Sequence, residues 1–380
     1  MKKSILLGSA AALVAVSGAQ AADLPVVEPV DYVKVCDAFG AGFHYIPGTE
    51  TCLKFSGRVR AEIGIQDDQD DDANDTSFLN SNFELVVNAS SMTEVGMVVG
   101  QFAISGSNEG EVELGDAWIT IGENILVGRE TSRYDFGGGY GIYDGLYVDE
   151  GVNQFTFIMP FGNGVSATLG LEDGRDRQAL IVETSSGTTT SGTMSYGGME
   201  IPDIVASLRV SQGWGSAQIS AALHQIRAQT DVDYDEDFGF AVQAGVELNV
   251  GSMTTVKVVG AYADGAMHYI GGSGVNEAAV NNTTDSISDT YDGWYVLAAL
   301  SHDFSDSLNF ALTGSYHDFD DQAEMWQIGA TVQYEVVENL LVSVAGKYED
   351  FDYDNNALGQ GLNDGVEDNW QAKLRVQRNF

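Results

Sequence analysis

Residues 53–65 read LKFSGRVRAEIGI, and the period of this stretch decides the fold. Leu53, Phe55, Val59, Ala61, Ile63 and Ile65 share one parity, while Lys54, Ser56, Arg58, Arg60 and Glu62 share the other. Side chains alternate across an extended chain with period two, so the stretch is a strand with one apolar and one polar face. The same alternation returns along the chain. Phe83, Leu85, Val87 and Ala89 oppose Asn82, Glu84 and Asn88. Phe238, Phe240, Val242, Ala244, Val246, Leu248 and Val250 enclose small or polar residues such as Gln243, Glu247 and Asn249. Leu308, Phe310, Leu312 and Tyr316 oppose Asn309, Thr313, Ser315 and His317. Trp326, Ile328, Ala330, Val332 and Tyr334 oppose Gln327, Thr331, Gln333 and Glu335.

A β-sandwich gives the same alternation, but three further features favour a closed membrane barrel. First, the connections alternate in length. Short links at 91–94, 122–124, 162–164, 213–215, 251–252, 305–307 and 337–339 interleave with generally longer polar links at 66–77, 106–110, 130–151, 174–201, 229–236, 265–291, 319–323 and 352–366. An up-and-down outer-membrane barrel has tight periplasmic turns and long outer loops, and these connections join about 16 strands. A Greek-key sandwich gives no such rhythm. Second, the polar face is too polar to be a core. Lys54, Arg58, Arg60, Gln218, His224, Gln243, Glu247, Lys373 and Arg375 could not all be buried without large desolvation costs, whereas a barrel of about 16 strands leaves a wet lumen. Third, Trp214, Tyr262, Trp294, Phe304, Tyr348, Trp370 and Phe380 fall toward strand ends, where membrane interfaces favour amphipathic rings. The expected fold is therefore all-β: a transmembrane antiparallel up-and-down barrel.

The chain ends support this. Met1-Lys2-Lys3, the apolar run 5–17 and Ala19-Gln20-Ala21 form a secretory signal peptide, 1–21, too short for a membrane helix. At the other end Trp370, Ala372, Leu374, Val376 and Phe380 alternate with Gln371, Lys373, Arg375 and Gln377. A terminal aromatic on an amphipathic strand makes Phe380 the expected signal to the outer-membrane insertion machinery. Arg378 breaks the apolar face where it can snorkel to an interface.

Fifty-six acidic against seventeen basic residues give a net charge of −39, or −41 without Lys2 and Lys3 of the signal. That balance excludes a nucleic-acid binder, whose footprint would be a basic face. Forty-five glycines against five prolines fit many tight turns. Cys36 and Cys52, an even count at close spacing in an oxidising compartment, read as one disulfide. A metal pair is the alternative, but two thiols without a nearby His pair are too few for a closed zinc site.

The segment 32–60, YVKVCDAFGAGFHYIPGTETCLKFSGRVR, resembles the N-terminal signature of the alphaproteobacterial general porins. The likeness is carried by VCDAFGAGF, by YIPGTETCL with both cysteines, and by the small-residue-Gly-x-Val-Arg start of the first strand. The signal peptide also looks similar; the remainder matches in layout. The resemblance implies an outer-membrane homotrimer of 16-stranded barrels, each with a water-filled pore narrowed by an inward-folded third loop. The organisation expected is a signal peptide over 1–21, an N-terminal disulfide segment over 22–52, and a barrel over 53–380 with its constriction loop at 130–151. Lipid, lipopolysaccharide and small hydrophilic solutes are the expected partners.

The loop carries Glu130, Arg133, Asp135, Gly137 to Gly139, Asp144, Asp149 and Glu150, following Gly128-Arg129. The wall offers Lys54, Arg58, Arg60, Arg129, Lys373 and Arg375. Strands one and sixteen must pair to close the barrel, so their inward bases form one basic stripe. Acids facing bases across a narrow wet gap set up a transverse field that disfavours apolar solutes. The bland reading is that these residues only solvate lumen and loop surfaces.

Other motifs carry less. Asp67, Asp68, Asp70, Asp71, Asp72 and Asp75 lack the Gly and Glu of a calcium loop and read as a solvated outer loop. Gly137-Gly138-Gly139-Tyr140-Gly141 lacks a following Gly-Lys-Ser/Thr and is no phosphate cradle. His44, His224, His268, His302 and His317 are scattered, with neither a His-x-x-x-His pair nor a Gly-x-Ser-x-Gly elbow. No enzyme, cofactor or metal is expected. A passive pore is the first reading. A substrate-selective channel, for sugars for example, is the alternative, followed by a barrel enzyme and a structural barrel.

Overall fold

The computed structural model describes residues 34–68, 76–108, 110–147, 151–185, 188–230, 234–320, 322–353 and 368–380. The signal peptide, Asp149 and Glu150 of the third loop, and most of the acidic outer-loop runs lie outside the described residues.

Sixteen antiparallel strands close on themselves. They are β1 Cys52–Asp68, β2 Thr76–Thr93, β3 Gly96–Ser107, β4 Glu113–Ile121, β5 Ile125–Thr131, β6 Gly151–Gly162, β7 Val165–Glu172 and β8 Asp203–Gln212. The second half is β9 Gly215–Gln229, β10 Tyr234–Val250, β11 Thr254–Asp264, β12 Asp292–Ser305, β13 Leu308–Phe319, β14 Ala323–Val337, β15 Leu340–Tyr353 and β16 Asp368–Asn379. Each pairs with its sequence neighbours, and β16 returns to β1 with Arg375 opposite Glu62 and Gln377 opposite Arg60. Closure leaves no open edge, the condition for a sheet to survive in hydrocarbon.

The alternation sorts as its polarity demands. Val59, Ile63, Leu79, Phe155, Ile219, Val258 and Val344 are exposed on the outside, as a lipid-facing surface requires. Aromatic residues form an outer girdle across successive strands: Tyr262 is opposite Trp294, Tyr316 opposite Trp326, and Tyr348 opposite Trp370. Trp214, Phe304 and Phe380 sit at the opposite, short-turn end. Phe380 closes the seam there, exchanging backbone hydrogen bonds with Gly57 at 3.0 Å, and its ring takes the space a Cβ on Gly57 would need.

The long links are less irregular than their polarity suggested. Two of them, after β7 and after β11, contribute four short strands, Leu180–Ser185, Thr188–Met194, Asn276–Asn281 and Ser286–Thr290, paired into a separate sheet. The apolar runs Leu180-Ile181-Val182 and Ala278-Ala279-Val280 explain it. From these runs Ile181, Ala278 and Val280 pack with Ile226 and Ala228 on the polar-parity face of β9, and all five are fully buried.

Cys36 and Cys52 form a disulfide with Cα atoms 6.2 Å apart, and both are fully buried. It ties a small hairpin, in which Cys36 N–H donates to Phe43 O, onto the start of β1 through His44 opposite Leu53. Thiol labelling of the unreduced, denatured protein is expected to find no free cysteine. Removing the bond by Cys36→Ser/Cys52→Ser should cost the segment about 3 kcal/mol in the loop-closure account of a ring this size, read as a lower denaturation midpoint. Two labelled thiols in the unreduced protein would contradict the pairing.

Candidate functional site

The polar face of the barrel is not evenly wet. Along β9 to β14 the residues of polar parity are buried: Ser220, His224, Gln243, Tyr295, Thr313, Ser315, His317 and Thr331 are all below 8% exposed. Along β1 and β2 the face is partly open: Arg58 and Glu84 retain 37% and 29% of their side-chain surface, while Glu62 is buried. What covers the buried half is the third long loop, together with the loops after β7 and β11.

Residues 132–147 of the third loop are bonded to that face at every turn. Gln218 and Ser220 of β9 donate to Tyr134 O at 3.1 and 2.6 Å. Phe136 N–H donates to Gln243 of β10 at 2.8 Å, and Lys257 Nζ of β11 donates to Gly138 O at 2.9 Å. The backbone N–H groups of Tyr140, Ile142 and Leu146 donate to the hydroxyls of Thr313, Thr331 and Ser315, at 2.9, 2.9 and 2.8 Å. Tyr140 Oη donates to Glu247, and Tyr143 Oη donates to Gln371 of β16. Burial, reinforced for Tyr140 by the Glu247 carboxylate, pushes both phenols up, so they stay protonated donors. The local glycines answer to this contact: a Cβ on Gly139 would collide with the Thr313 side chain, and Gly141 has φ +94°. Exposed backbone that makes its bonds to wall hydroxyls is the solution a loop needs when it leaves water.

The candidate residues separate into groups. Arg375 pairs with Glu62, Lys373 lies 3.8 Å from the same carboxylate, and Arg60 donates to Gln377. Arg58 pairs with Glu84. The basic stripe expected along β1 and β16 is thus interrupted by carboxylates, since Glu62 points to the same side as the bases it faces. Lys373 also stands 4.8 Å from the Tyr143 ring centroid, which brings the stripe against the third loop. Glu130 pairs with Arg133, and Arg129 with Asp176 at 3.1 Å. Asp144 accepts from Tyr147 Oη at 2.9 Å. Lys54 lies apart, its stem against Gly42 of the disulfide hairpin. Asp135 is fully buried against Arg177 at 2.9 Å.

Beside β1 to β4 a cavity of about 340 Å³ is lined by Arg58, Arg60, Asn82, Glu84, Ser105 and Glu113 among others. Among the described residues no group of three or more His, Cys, Asp or Glu side chains is placed to hold a metal. No helix among them is long and apolar enough to cross a membrane. Sequence reasoning missed Arg177, Lys257 and Arg209, whose guanidinium lies 5.1 Å from the Phe136 ring centroid, as loop partners. Period two places Arg209 and Lys257 on the polar face, but only the folded loop shows what they meet.

The family described as Porin subfamily matches residues 23–377. The chain belongs to that porin family. It is 33% identical over 290 residues to Porin Omp2b of Brucella suis, covering 70% of this chain and 74% of that one. Omp2b of Brucella abortus strain 2308 gives the same identity over 288 residues. Among solved structures, the outer membrane channel DcaP of Acinetobacter baumannii superposes with a TM-score of 0.72 at 16% identity, covering 88% of this chain and 99% of that one. The anion-selective porin of Comamonas acidovorans superposes with a TM-score of 0.56 at 12% identity, covering 87% and 100%. The protein is an outer-membrane porin, and its strands are the membrane-crossing element.

Proposed function

We propose that this porin is a passive route for small hydrophilic solutes and ions, assembled as a homotrimer, with residues 130–151 as the constriction. The observation that carries this reading is the division of the polar face. Loop 132–147 bonds to β9, β10, β11, β13, β14 and β16, while Arg58, Arg60, Asn82, Glu84 and Ser105 line the 340 Å³ cavity. The aqueous path therefore runs off-centre, between β1–β4 and β16 on one side and the loop with Glu130, Arg133, Tyr143 and Asp144 on the other. Side chains of both signs at a narrow wet gap order water and select against apolar solutes. Asp135, buried against Arg177, serves in anchoring the loop rather than in facing solute.

Planar bilayers supplied with purified protein are expected to conduct in steps that come in threes, with weak gating. Silent bilayers with correctly folded protein would reject the pore, and single uniform steps would reject the trimer.

A further inference from the structure

Loops 3, 4 and 6, which follow β5, β7 and β11, meet in one buried polar network at the start of the candidate constriction loop. Loop 3 brings Ser132, Tyr134 and Asp135; loop 4 brings Arg177; loop 6 brings Tyr269 and Glu277; the ends of β7 and β8 add Glu172 and Asp203, and β9 adds His224. All are at most 8% exposed. Glu172 accepts from Ser132 Oγ at 2.9 and 2.8 Å. Asp203 accepts from Tyr269 Oη at 2.7 Å and lies 2.9 Å from His224 Nδ1. Glu277 accepts from Ala179 N–H at 3.3 Å, with His224 Nε2 3.7 Å away.

Arg177 stands at the crossing. Its Nη2 donates to Asp135 Oδ2 at 2.9 Å, and its guanidinium carbon lies 4.6 Å from the Tyr269 ring centroid. The Tyr269 ring in turn meets Tyr134 edge-on at 4.9 Å. Complete burial pushes the Glu277 carboxyl well above the usual carboxylate range, so that group makes little demand on a cation. Asp203 and Glu172 have hydroxyl donors of their own. Asp135 is ion-paired to Arg177, and both side chains are fully buried. A buried carboxylate that loses its cation must take a proton or reach water, and both routes loosen the loop that carries it.

We propose that Arg177 is the positioning residue that sets the gauge of the pore, by clamping the 132–137 part of loop 3 to loop 6 from its own place on loop 4. This rests on the reading of loop 3 as the constriction. Residues 139–147 keep their anchors on Thr313, Thr331 and Ser315, and Tyr134 and Phe136 keep theirs on Gln218, Ser220 and Gln243, so loosening begins at the Asp135 side chain and reaches the adjacent Glu130–Arg133 pair. The clamp touches no permeating solute.

The test uses the full-length protein in bilayers and liposomes. Arg177→Met/Asp135→Asn removes the tie without leaving Asp135 as a lone buried charge, and Asp135→Asn breaks it from the loop 3 side. Each should still run as a heat-modifiable folded barrel. Open-channel current noise, and the entry of a trisaccharide relative to arabinose, should each rise about tenfold, the change when a displaced-loop state grows from about 1% to about 10%. Arg177→Lys, which keeps a cation for Asp135, should stay near the parent. Quiet channels with an unchanged sugar ratio in either folded variant overturn the assignment, whatever happens to thermal stability. A separate arm tests the reading beneath it: a bulky maleimide on Asp144→Cys should cut conductance. If it does not, loop 3 is not the constriction; if it does while the Arg177 and Asp135 variants stay quiet, only the clamp fails.

Discussion

Cysteines at Asn82 and Ser105 are expected to react with a membrane-impermeant thiol reagent at least ~100-fold faster than cysteines at Ser220 and Ser315, because the latter pair must wait for a local opening costing about 3 kcal/mol. All four positions have the parity that faces inward. An evenly open barrel would therefore label them at similar rates. The difference comes from the loops: Ser220 Oγ is bonded to Tyr134 O and Ser315 Oγ to Leu146 N–H, whereas Asn82 and Ser105 line the cavity beside Arg58 and Arg60. The background is clean, since the two native cysteines are paired. Labelling of open channels should lower conductance at Asn82 and Ser105 and leave it unchanged at the other two. Equal rates at all four would mean that the loops stand clear of β9–β14 in the membrane and that the aqueous path is central.

The barrel was legible in the sequence because its constraint is local and repeats. Each strand must show one face to lipid, so Val59 and Ile63 against Arg58, Arg60 and Glu62 already fix the inside and outside of β1, and the terminal Trp370–Phe380 pattern does the same for β16. The loops answer to no such period. Arg177 lies in a short turn at 174–177 whose neighbours are polar, and nothing in its spacing foretells complete burial against Asp135 and Tyr269. The sheet built from 180–194 and 276–290 reads as polar linker because its apolar runs are only three or four residues long and sit among Ser, Thr and Asn. Their burial needs Ile226 and Ala228 of a distant strand. The basic stripe follows only when the bases are taken alone. The same parity argument places Glu62 and Glu84 among them, and counting acids and bases together would have given the mixed face that the structure has.

That mixed face governs the last expected result, the ion preference. Glu62 is nearly buried between Arg375 and Lys373, and Glu84 holds Arg58, so the wall's positive charge along β1 and β16 is largely answered by carboxylates. With a net charge of −39 over the whole chain, the protein is expected to prefer cations modestly at low salt, and to lose the preference as salt rises. Screening explains the second part: the Debye length falls from about 10 Å at 0.1 M to about 3 Å at 1 M. Glu62→Gln keeps the size and hydrogen-bonding capacity of the side chain but frees two bases at once. A unit charge about 4 Å from a permeating ion is worth about 1 kcal/mol in bulk water and more near protein, so the cation-to-anion permeability ratio should fall about fivefold or more in dilute KCl. Arg60→Gln, by removing a base that is not ion-paired to a carboxylate, should move the ratio the other way. Reversal potentials under a KCl gradient measure both. Opposite shifts that shrink together at high salt place the selecting charges at the seam of β1 and β16. If both variants keep the parent's reversal potential, the acids of the outer loops control permeation and the seam only lines it.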